Sequence, residues 1–392
     1  MVKCSIGENM KLRSNLIKTD KLLLITSLLL FLFGLVMIFS SSTVAAVLVY
    51  KNPSYFFVVR QGAVELVMLL VSLFIICTPT KTYSKLSFLL PITMIGLLLL
   101  VKLFGTEANG AKSWLDLGVF NFQSSEFVKT LLILYMATIY GDKKKWNNEG
   151  DLLKPLIIPV VCAFLIAKEP DLGTAIITAG ITFLIFIELP IKKGKVMKII
   201  YGLIAIGACS VFMLYSTNSL NKILTPAQEA RFDFRKPCSR YLEKTGYQVC
   251  NSYIAINNGG LYGLGLGNSK QKNLYLPESY TDFIFPIIVE EFGLIGTGIL
   301  FFVYMLLLFS ILTIARHATN LRNSIIAFGT FAYILIHLVI NLAGVTGLFL
   351  MTGVPLPFMS YGGSFIINLF ILLSLTQRVA IETKEARVKK KA

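Results

Sequence analysis

The 392-residue sequence is 55% hydrophobic and 15% charged, whereas average soluble domains carry roughly 25% charged residues. So few polar side chains cannot cover the surfaces of several water-soluble cores, and the bilayer is the expected solvent for most of the chain. The net charge is +16, so the placement of basic residues carries the information about orientation.

Residues 1–21 form a polar tail holding Lys3, Lys11, Arg13, Lys18 and Lys21. Residues 22–40 then run without a charge, close to the roughly 20 helical residues a hydrocarbon core requires. This run exceeds a signal-peptide core and more spans follow it, so an uncleaved first helix is expected. Further apolar runs occupy 61–77, 86–104, 124–140, 155–167, 172–190, 199–216, 282–311, 323–342 and 361–377. Each reads as a helix, because an isolated strand in lipid leaves its backbone polar groups unsatisfied. The 155–167 run is short, and parity decides whether it counts. Ten spans with a cytoplasmic start place 23 of the 37 Lys and Arg inside; merging this run with the next would put the basic tail 378–392 outside, against the positive-inside rule. The expected fold is therefore an all-α polytopic membrane protein. Its ten spans fill 22–377, both termini are cytoplasmic, and a large external loop at about 217–280 joins spans seven and eight.

That loop holds eight basic and four acidic residues. Loops of this length are usually functional or disordered, and the apolar, glycine-punctuated stretch 253–266 argues for structure. Its glycines lack the strand–helix context of a nucleotide-binding turn. Cys238 and Cys250 share the loop, 12 positions apart, and are a candidate disulfide pair, with two free thiols as the alternative. Cys77, Cys162 and Cys209 lie in apolar runs and read as small buried residues.

Ionisable groups in or beside spans are expensive and are functional candidates by default. They are Glu65, Lys102, Glu126, Lys129, Asp171, Glu188, Asp282, Glu290 and Glu291. Glu126 and Lys129 stand three apart on one helix and can pair, either to lock the bundle or to serve chemistry. Arg60 is a candidate partner for Glu65. Asp282 opens a span directly after Leu276-Pro277-Glu278-Ser279-Tyr280-Thr281, which puts its carboxylate at the outer boundary; an N-cap is the plainer role for it. His337, in mid-span, reads as a satisfied packing residue rather than a ligand. These features suit either a transporter with midplane charges or an enzyme acting on a lipid-linked anion.

Four motifs then occur in order. Asn109-Gly110-Ala111-Lys112-Ser113-Trp114-Leu115-Asp116 with Gln123-Ser124-Ser125-Glu126-Phe127-Val128-Lys129 is the first, and Glu169-Pro170-Asp171-Leu172-Gly173-Thr174 the second. Gly265-Leu266-Gly267-Asn268-Ser269 with Leu276-Pro277-Glu278 and Thr281-Asp282-Phe283 is the third. Val345-Thr346-Gly347 with Pro355-Leu356-Pro357-Phe358-Met359-Ser360-Tyr361-Gly362-Gly363-Ser364 is the fourth. The set resembles the SEDS (shape, elongation, division and sporulation) family, and Gln271-Lys272 after Gly-Asn-Ser makes it more similar to the division branch (FtsW) than to the elongation branch (RodA). Tyr280 stands where His commonly precedes Thr-Asp, Ser124 where Pro is common, and Lys168-Glu169 replaces a frequent Leu-Gln; none of these departures touches Asp282.

The resemblance implies ten transmembrane helices in a bacterial cytoplasmic membrane and a peptidoglycan glycosyltransferase that polymerises lipid II outside it, in cell division or shape maintenance. It implies Asp282 as the catalytic carboxylate, with Trp114, Glu126, Lys129 and Asp171 at functionally important positions and Thr281 and Ser360 in the same motifs. Expected partners are a class B penicillin-binding protein and other divisome or elongasome membrane proteins, and no nucleic acid. Lys112, Arg231, Arg235 and Lys129 are the candidate cations for the lipid diphosphate, and a divalent cation (Mg or Mn) is the one cofactor envisaged. Lipid II translocation, or non-catalytic recruitment of a synthase, are the alternatives.

Overall fold

The computed structural model describes residues 15, 17–108, 111–116, 121–141, 149–169, 171–190, 194, 198, 202 and 236–391. Among them the chain forms helices α1 (Lys21–Leu48), α2 (Phe56–Cys77), the short α3 (Thr80–Ser84), α4 (Leu89–Phe104), α5 (Ser124–Tyr140), α6 (Ile157–Lys168) and α7 (Leu172–Glu188). They are followed by α8 (Lys244–Gly259), α9 (Ile284–His317), α10 (Leu321–Val345) and α11 (Gly363–Lys391). Nine of the ten expected spans fall on these helices, and the expected span 199–216, apart from residue 202, lies outside the described residues. By length and composition α1, α2, α9, α10 and α11 are able to cross a membrane.

The expectation of an all-α chain needs correction. Between α4 and α5, β1 (Thr106–Ala108), β2 (Ala111–Asp116) and β3 (Asn121–Gln123) form an antiparallel sheet in the order β1-β2-β3. Trp114 lies opposite both Thr106 and Gln123. Strands are excluded only where their backbone faces lipid; a meander between helix ends pairs its polar groups internally.

Helix ends also move. The run ending at Ser40 continues to Leu48, because the hydroxyls that follow bond back into the helix, Ser41 to the Met37 carbonyl at 2.7 Å and Thr43 to that of Phe39 at 2.6 Å. Such back-bonding removes the polar penalty that makes Ser-Ser-Ser look like a terminus. At the other end of α1, the Asp20 side chain accepts from the Leu23 amide at 2.9 Å, an N-cap that satisfies one orphan donor.

Helix α11 is the central post. Nine-tenths (89%) of its most apolar stretch is buried, against 28% for α2, so α2 lies at the periphery and presents its apolar side chains outward. In a soluble protein the exposed Leu66, Leu70 and Phe74 of α2 would be a liability; facing lipid they are the expected surface. Helix α10 packs against α5, α7, α9 and α11, and therefore connects the elements that build the site.

Helix α9 is broken. Gly293 adopts φ 66° and ψ −172° in its interior, a conformation essentially restricted to glycine. The break frees backbone groups that hydrocarbon cannot satisfy, and the glycine-rich segment after α8 supplies their partners. Leu264 and Gly265 donate to the Glu290 and Glu291 carbonyls, each at 2.9 Å, while Leu294 and Ile295 donate to the carbonyls of Gly260 and Leu261 at 2.9 and 3.1 Å. The backbone of Leu261 and Gly263 lies where a side chain on residue 293 would sit. The 253–266 stretch is thus ordered, half as helix α8 and half as the complement of a broken span. Cys238 and Cys250 are joined in a disulfide, with Cα atoms 4.9 Å apart, which ties α8 to the 3-10 turn Pro237–Arg240.

Gly293→Ala is expected to destabilise the fold by about 1–3 kcal/mol or more, the usual cost of forcing a side chain into such backbone. Gly298→Ala, on the same helix with open space around it, should leave the thermal midpoint in detergent unchanged. Equal midpoints for the two variants would contradict this account of the break.

Candidate functional site

Asp282 stands at the mouth of α9, one residue before the N-cap position, which belongs to Phe283. Its side chain is half-buried and faces a recess shared with Asn341, Thr352, Gly353 and Val354. Three hydrogen bonds, from α10 and the loop before α11, hold the backbone that carries it. The Asn341 amide nitrogen on α10 donates to the Asp282 carbonyl at 2.8 Å and to that of Val354 at 2.7 Å. The Ser360 hydroxyl donates to the Thr281 carbonyl at 2.6 Å and accepts from the Leu356 amide at 2.8 Å. The Tyr361 amide donates to the Tyr280 carbonyl at 2.9 Å. The Thr281 hydroxyl donates to Glu278 at 2.7 Å and lies 3.1 Å from an Asp282 carboxylate oxygen.

Backbone strain gathers in the two loops that meet here. Leu274, Glu278 and Phe358 have φ of 68°, 57° and 70°, conformations costing of order 1–3 kcal/mol each for side-chain-bearing residues. Surrounding contacts compensate at Phe358, whose buried ring packs against Phe31 and Tyr304, while the Tyr304 hydroxyl bonds to the Pro357 carbonyl. Tyr280, at the position where His is common, is buried against Phe57 and donates to the Tyr50 hydroxyl at 3.0 Å. Its role is packing: burial and the neighbouring phenol push its own hydroxyl further above the usual tyrosine range, so it offers no base beside Asp282.

The second motif abuts the same recess from behind. Asp171 caps α7, accepting from the Thr174 amide at 3.0 Å and from the Gln123 side chain at 3.3 Å. Gly173 permits α7 to lie directly against Thr352 and Val354, in the segment that walls the recess. Gln123 also donates through its backbone to Ser364 at 3.0 Å, so the sheet, α7 and the start of α11 form one joint. Trp114 sits on β2 within this joint and is partly exposed. Next to it Glu169 is buried, with one carboxylate oxygen lacking a hydrogen-bond partner. Burial, with Asp171 adding repulsion, pushes its carboxyl up to about 8.

Deeper in the bundle Glu126 and Lys129 do pair, at 2.6 Å, and the pair belongs to a closed ring of contacts. Lys129 also reaches the His337 Nε2 at 2.8 Å, the Tyr333 hydroxyl donates to Glu126 at 3.0 Å, and the His337 Nδ1 lies 2.6 Å from the Tyr333 carbonyl. A neutral imidazole with its proton on Nδ1 satisfies all of these together. Lys129, a candidate diphosphate-binding cation in the sequence, is completely buried and engaged with Glu126 and His337. His337 is buried with both ring nitrogens engaged, the satisfied packing residue expected of it. It lies one turn from Asn341 on α10, about 6 Å along the helix axis, so the ring and the Asp282 recess share a rigid element.

The structure therefore brings Asp282, Thr281 and Ser360 together, sets Trp114 and Asp171 behind them, and places Glu126 and Lys129 in the core. Glu65 faces the Gln61 amide at 3.5 Å, while Arg60 lies over the Phe56 ring. Arg231, Arg235 and the side chain of Lys112 lie outside the described residues. Asn341, Gln123 and Ser364 were missed. Asn341 had a legible signal, an uncharged polar residue within an apolar span, where such groups almost always bond across helices.

A helical bundle with membrane-crossing spans and an acid held at a helix mouth defines a multi-pass membrane protein with a carboxylate site. The family model of cell cycle proteins covering FtsW, RodA and SpoVE matches residues 20–385, and the chain belongs to that family. It is 36% identical over 385 residues to the protein named "Probable peptidoglycan glycosyltransferase FtsW" of Bacillus subtilis (strain 168), covering 95% of this chain and 93% of that one. It is 34% identical to stage V sporulation protein E of the same organism, over 92% of this chain and 96% of that one. Among solved structures, a chain of a peptidoglycan synthase complex that coordinates polymerization and crosslinking superposes with a TM-score of 0.74 at 22% identity, covering 93% of this chain and 98% of that one. Thermus thermophilus RodA superposes with a TM-score of 0.66 at 22% identity, over 92% and 96% of the two chains. These two likenesses are likenesses of fold.

The raised Glu169 carboxyl has a consequence for stability. Unfolded, the group ionises near its ordinary value of 4.5; folded, it holds its proton up to about 8. Its contribution to stability is therefore complete below pH 4.5 and is lost as pH rises through 8. Glu169→Gln should match the parent's melting temperature at pH 4 and exceed it at pH 9, a gap that differential scanning fluorimetry in detergent can read.

Proposed function

We propose that the protein is a peptidoglycan glycosyltransferase that polymerises lipid II at the outer face of a bacterial cytoplasmic membrane. The observation that carries this reading is the half-buried Asp282, its backbone fixed by Asn341 and Ser360 at the mouth of α9 and its side chain open to a recess. Family membership and the names of the most similar relatives support the same reaction. In this reading ten spans fill 22–377 with both termini cytoplasmic, and the segment containing α8 lies outside. The 36% identity with the Bacillus subtilis protein supports the division branch.

Polymerisation forms a bond between an acceptor sugar hydroxyl and the anomeric carbon of the donor, and breaks the donor's bond to its lipid diphosphate. Asp282 takes the hydroxyl proton as the bond forms; a positioned base of this kind contributes typically 10²–10⁴-fold. The undecaprenyl diphosphate leaves with its electron pair, and Lys112, Arg231 and Arg235 are the cations assigned to its charge. A rigid mount suits this role, since a carboxylate held by three backbone bonds needs little reorganisation in the transition state. Asp171, Trp114, Glu126 and Lys129 support the mount rather than the reacting atoms.

Among the described residues no group of three His, Cys, Asp or Glu is placed to hold a metal ion. A magnesium or manganese ion remains compatible with the Asp282 and Glu278 carboxylates, both beside the Thr281 hydroxyl, because Mg²⁺ commonly takes one or two carboxylates and completes its shell with phosphate and water. Such an ion would neutralise charge on the departing diphosphate. A class B penicillin-binding protein is the proposed partner, in keeping with the synthase complex that shares the fold.

Asp282→Asn should retain the parent's melting temperature and lose at least about 100-fold of lipid II polymerisation in detergent. Detergent removes sidedness, so a lipid translocator would yield no polymer from the parent protein either. Polymer made at the parental rate by Asp282→Asn would end the catalytic assignment.

A further inference from the structure

Two adjacent carboxylates that the proposed chemistry does not use lie at the break in α9. Glu290 and Glu291 are both buried, about 12–14 Å along the helix axis from Asp282. Glu290 accepts from Asn258 at 2.9 Å, from the Gln271 amide at 3.1 Å and from the Ser269 hydroxyl. Glu291 accepts from Ser40 on α1 at 2.6 Å and from the Lys272 ammonium at 3.1 Å. That ammonium, itself buried, also donates to the Gly267 carbonyl at 2.6 Å and lies 3.2 Å from the Ser40 hydroxyl. Lys272 therefore touches three separate pieces of chain at once: the middle of α1, the break in α9, and the loop that leads to Asp282.

The covalent path makes this arrangement consequential. Residues 284–292 form a half-helix with Asp282 at one end and the locked Glu290–Glu291 pair at the other. From Lys272 the chain runs only ten residues to Asp282, through turns closed by Leu276 donating to Gln271 at 2.9 Å and Phe283 donating to Glu278 at 3.1 Å. The same lock thus bounds Asp282 from both directions. The position of the half-helix depends on it as well, because Gly293 removes the helical continuity that would otherwise hold residues 284–292 in line with the rest of α9.

We propose that Lys272, through Glu291 and Ser40, is a positioning residue that sets the register of Asp282 over the acceptor hydroxyl. This deepens the glycosyltransferase reading and rests on Asp282 as its base. Lys272 touches no substrate; it holds the two segments that bracket the carboxylate. A buried ion pair adds little net stability compared with neutral groups of similar shape, whereas loss of one partner leaves an unpaired buried charge. That asymmetry separates positioning from mere stabilisation.

The experiment uses the full-length protein in detergent, with melting temperature, lipid II polymerisation kinetics and hydrogen–deuterium exchange measured on each variant. Lys272→Met alone should lower both the melting temperature and kcat, since Glu291 is stranded. Lys272→Met combined with Glu291→Gln should recover the melting temperature. In that double variant kcat should still be lower by on the order of 100-fold, KM for lipid II should be unchanged, and deuterium uptake in residues 276–283 should rise. Parental uptake in that peptide would overturn the proposal whatever the activity, as would raised uptake with parental kcat. Should the parent protein itself form no polymer, the glycosyltransferase reading falls on its own, and the uptake comparison still decides whether Lys272 holds the Asp282 segment.

Discussion

Inside a hydrocarbon slab, each backbone donor and acceptor must find its partner within the protein, and the break at Gly293 shows what that constraint builds. Interrupting α9 leaves four backbone groups without helical partners, and water cannot replace them. The segment 260–265 supplies all four, antiparallel to the broken stretch. One local backbone conformation thereby requires a second piece of chain, fixes the path of that piece, and determines where the next turn delivers Asp282. The glycines of the loop follow from the same cause, because only backbone without side chains can approach a helix this closely.

Charge follows the same logic at two levels of the bundle. The Glu126–Lys129–His337–Tyr333 ring and the Lys272–Glu291–Ser40 cluster each bury ionised groups with most of their hydrogen-bonding capacity used internally. Buried ion pairs contribute modestly to stability, since desolvation offsets much of the attraction. They do select one arrangement of helices, because any shifted packing strands a charge in lipid. One cluster is connected to the recess through α10 and Asn341, the other through the half-helix of α9. Together they frame the backbone that carries Asp282. Strained backbone at Leu274, Glu278 and Phe358 belongs to this frame, and the packing around each loop must exceed that cost.

The membership of the chain in the FtsW, RodA and SpoVE family gives these observations a common purpose. Chemistry on a lipid-linked sugar needs a base that stays put while two large amphipathic substrates arrive from the bilayer. A base on a mobile loop would lose the gain of a fixed near-attack geometry. Here the loop carrying Asp282, the base of the proposed reaction, is bonded to α10, to the loop before α11 and to the break in α9, and the sheet and α7 buttress the wall.

What the sequence by itself determined was the solvent, nine of the helices, the place of Asp282 at a helix mouth and the pairing of Glu126 with Lys129. These are local or compositional properties: length of apolar run, charge asymmetry, and a three-residue spacing on one helix. The fate of Lys129, the sheet between α4 and α5, and the continuation of α1 past Ser40 were not legible. The continuation of α1 rests on local back-bonding and the sheet on neighbouring strands, whereas Lys129 and Ser40 are held by partners far along the chain, His337 and Glu291. The roles of Asn341 and Lys272 were likewise decided only in three dimensions. A side chain's hydrogen bonds are made to whatever the fold brings within 3 Å, and no periodicity in the sequence encodes contacts between residues 59 or 232 positions apart.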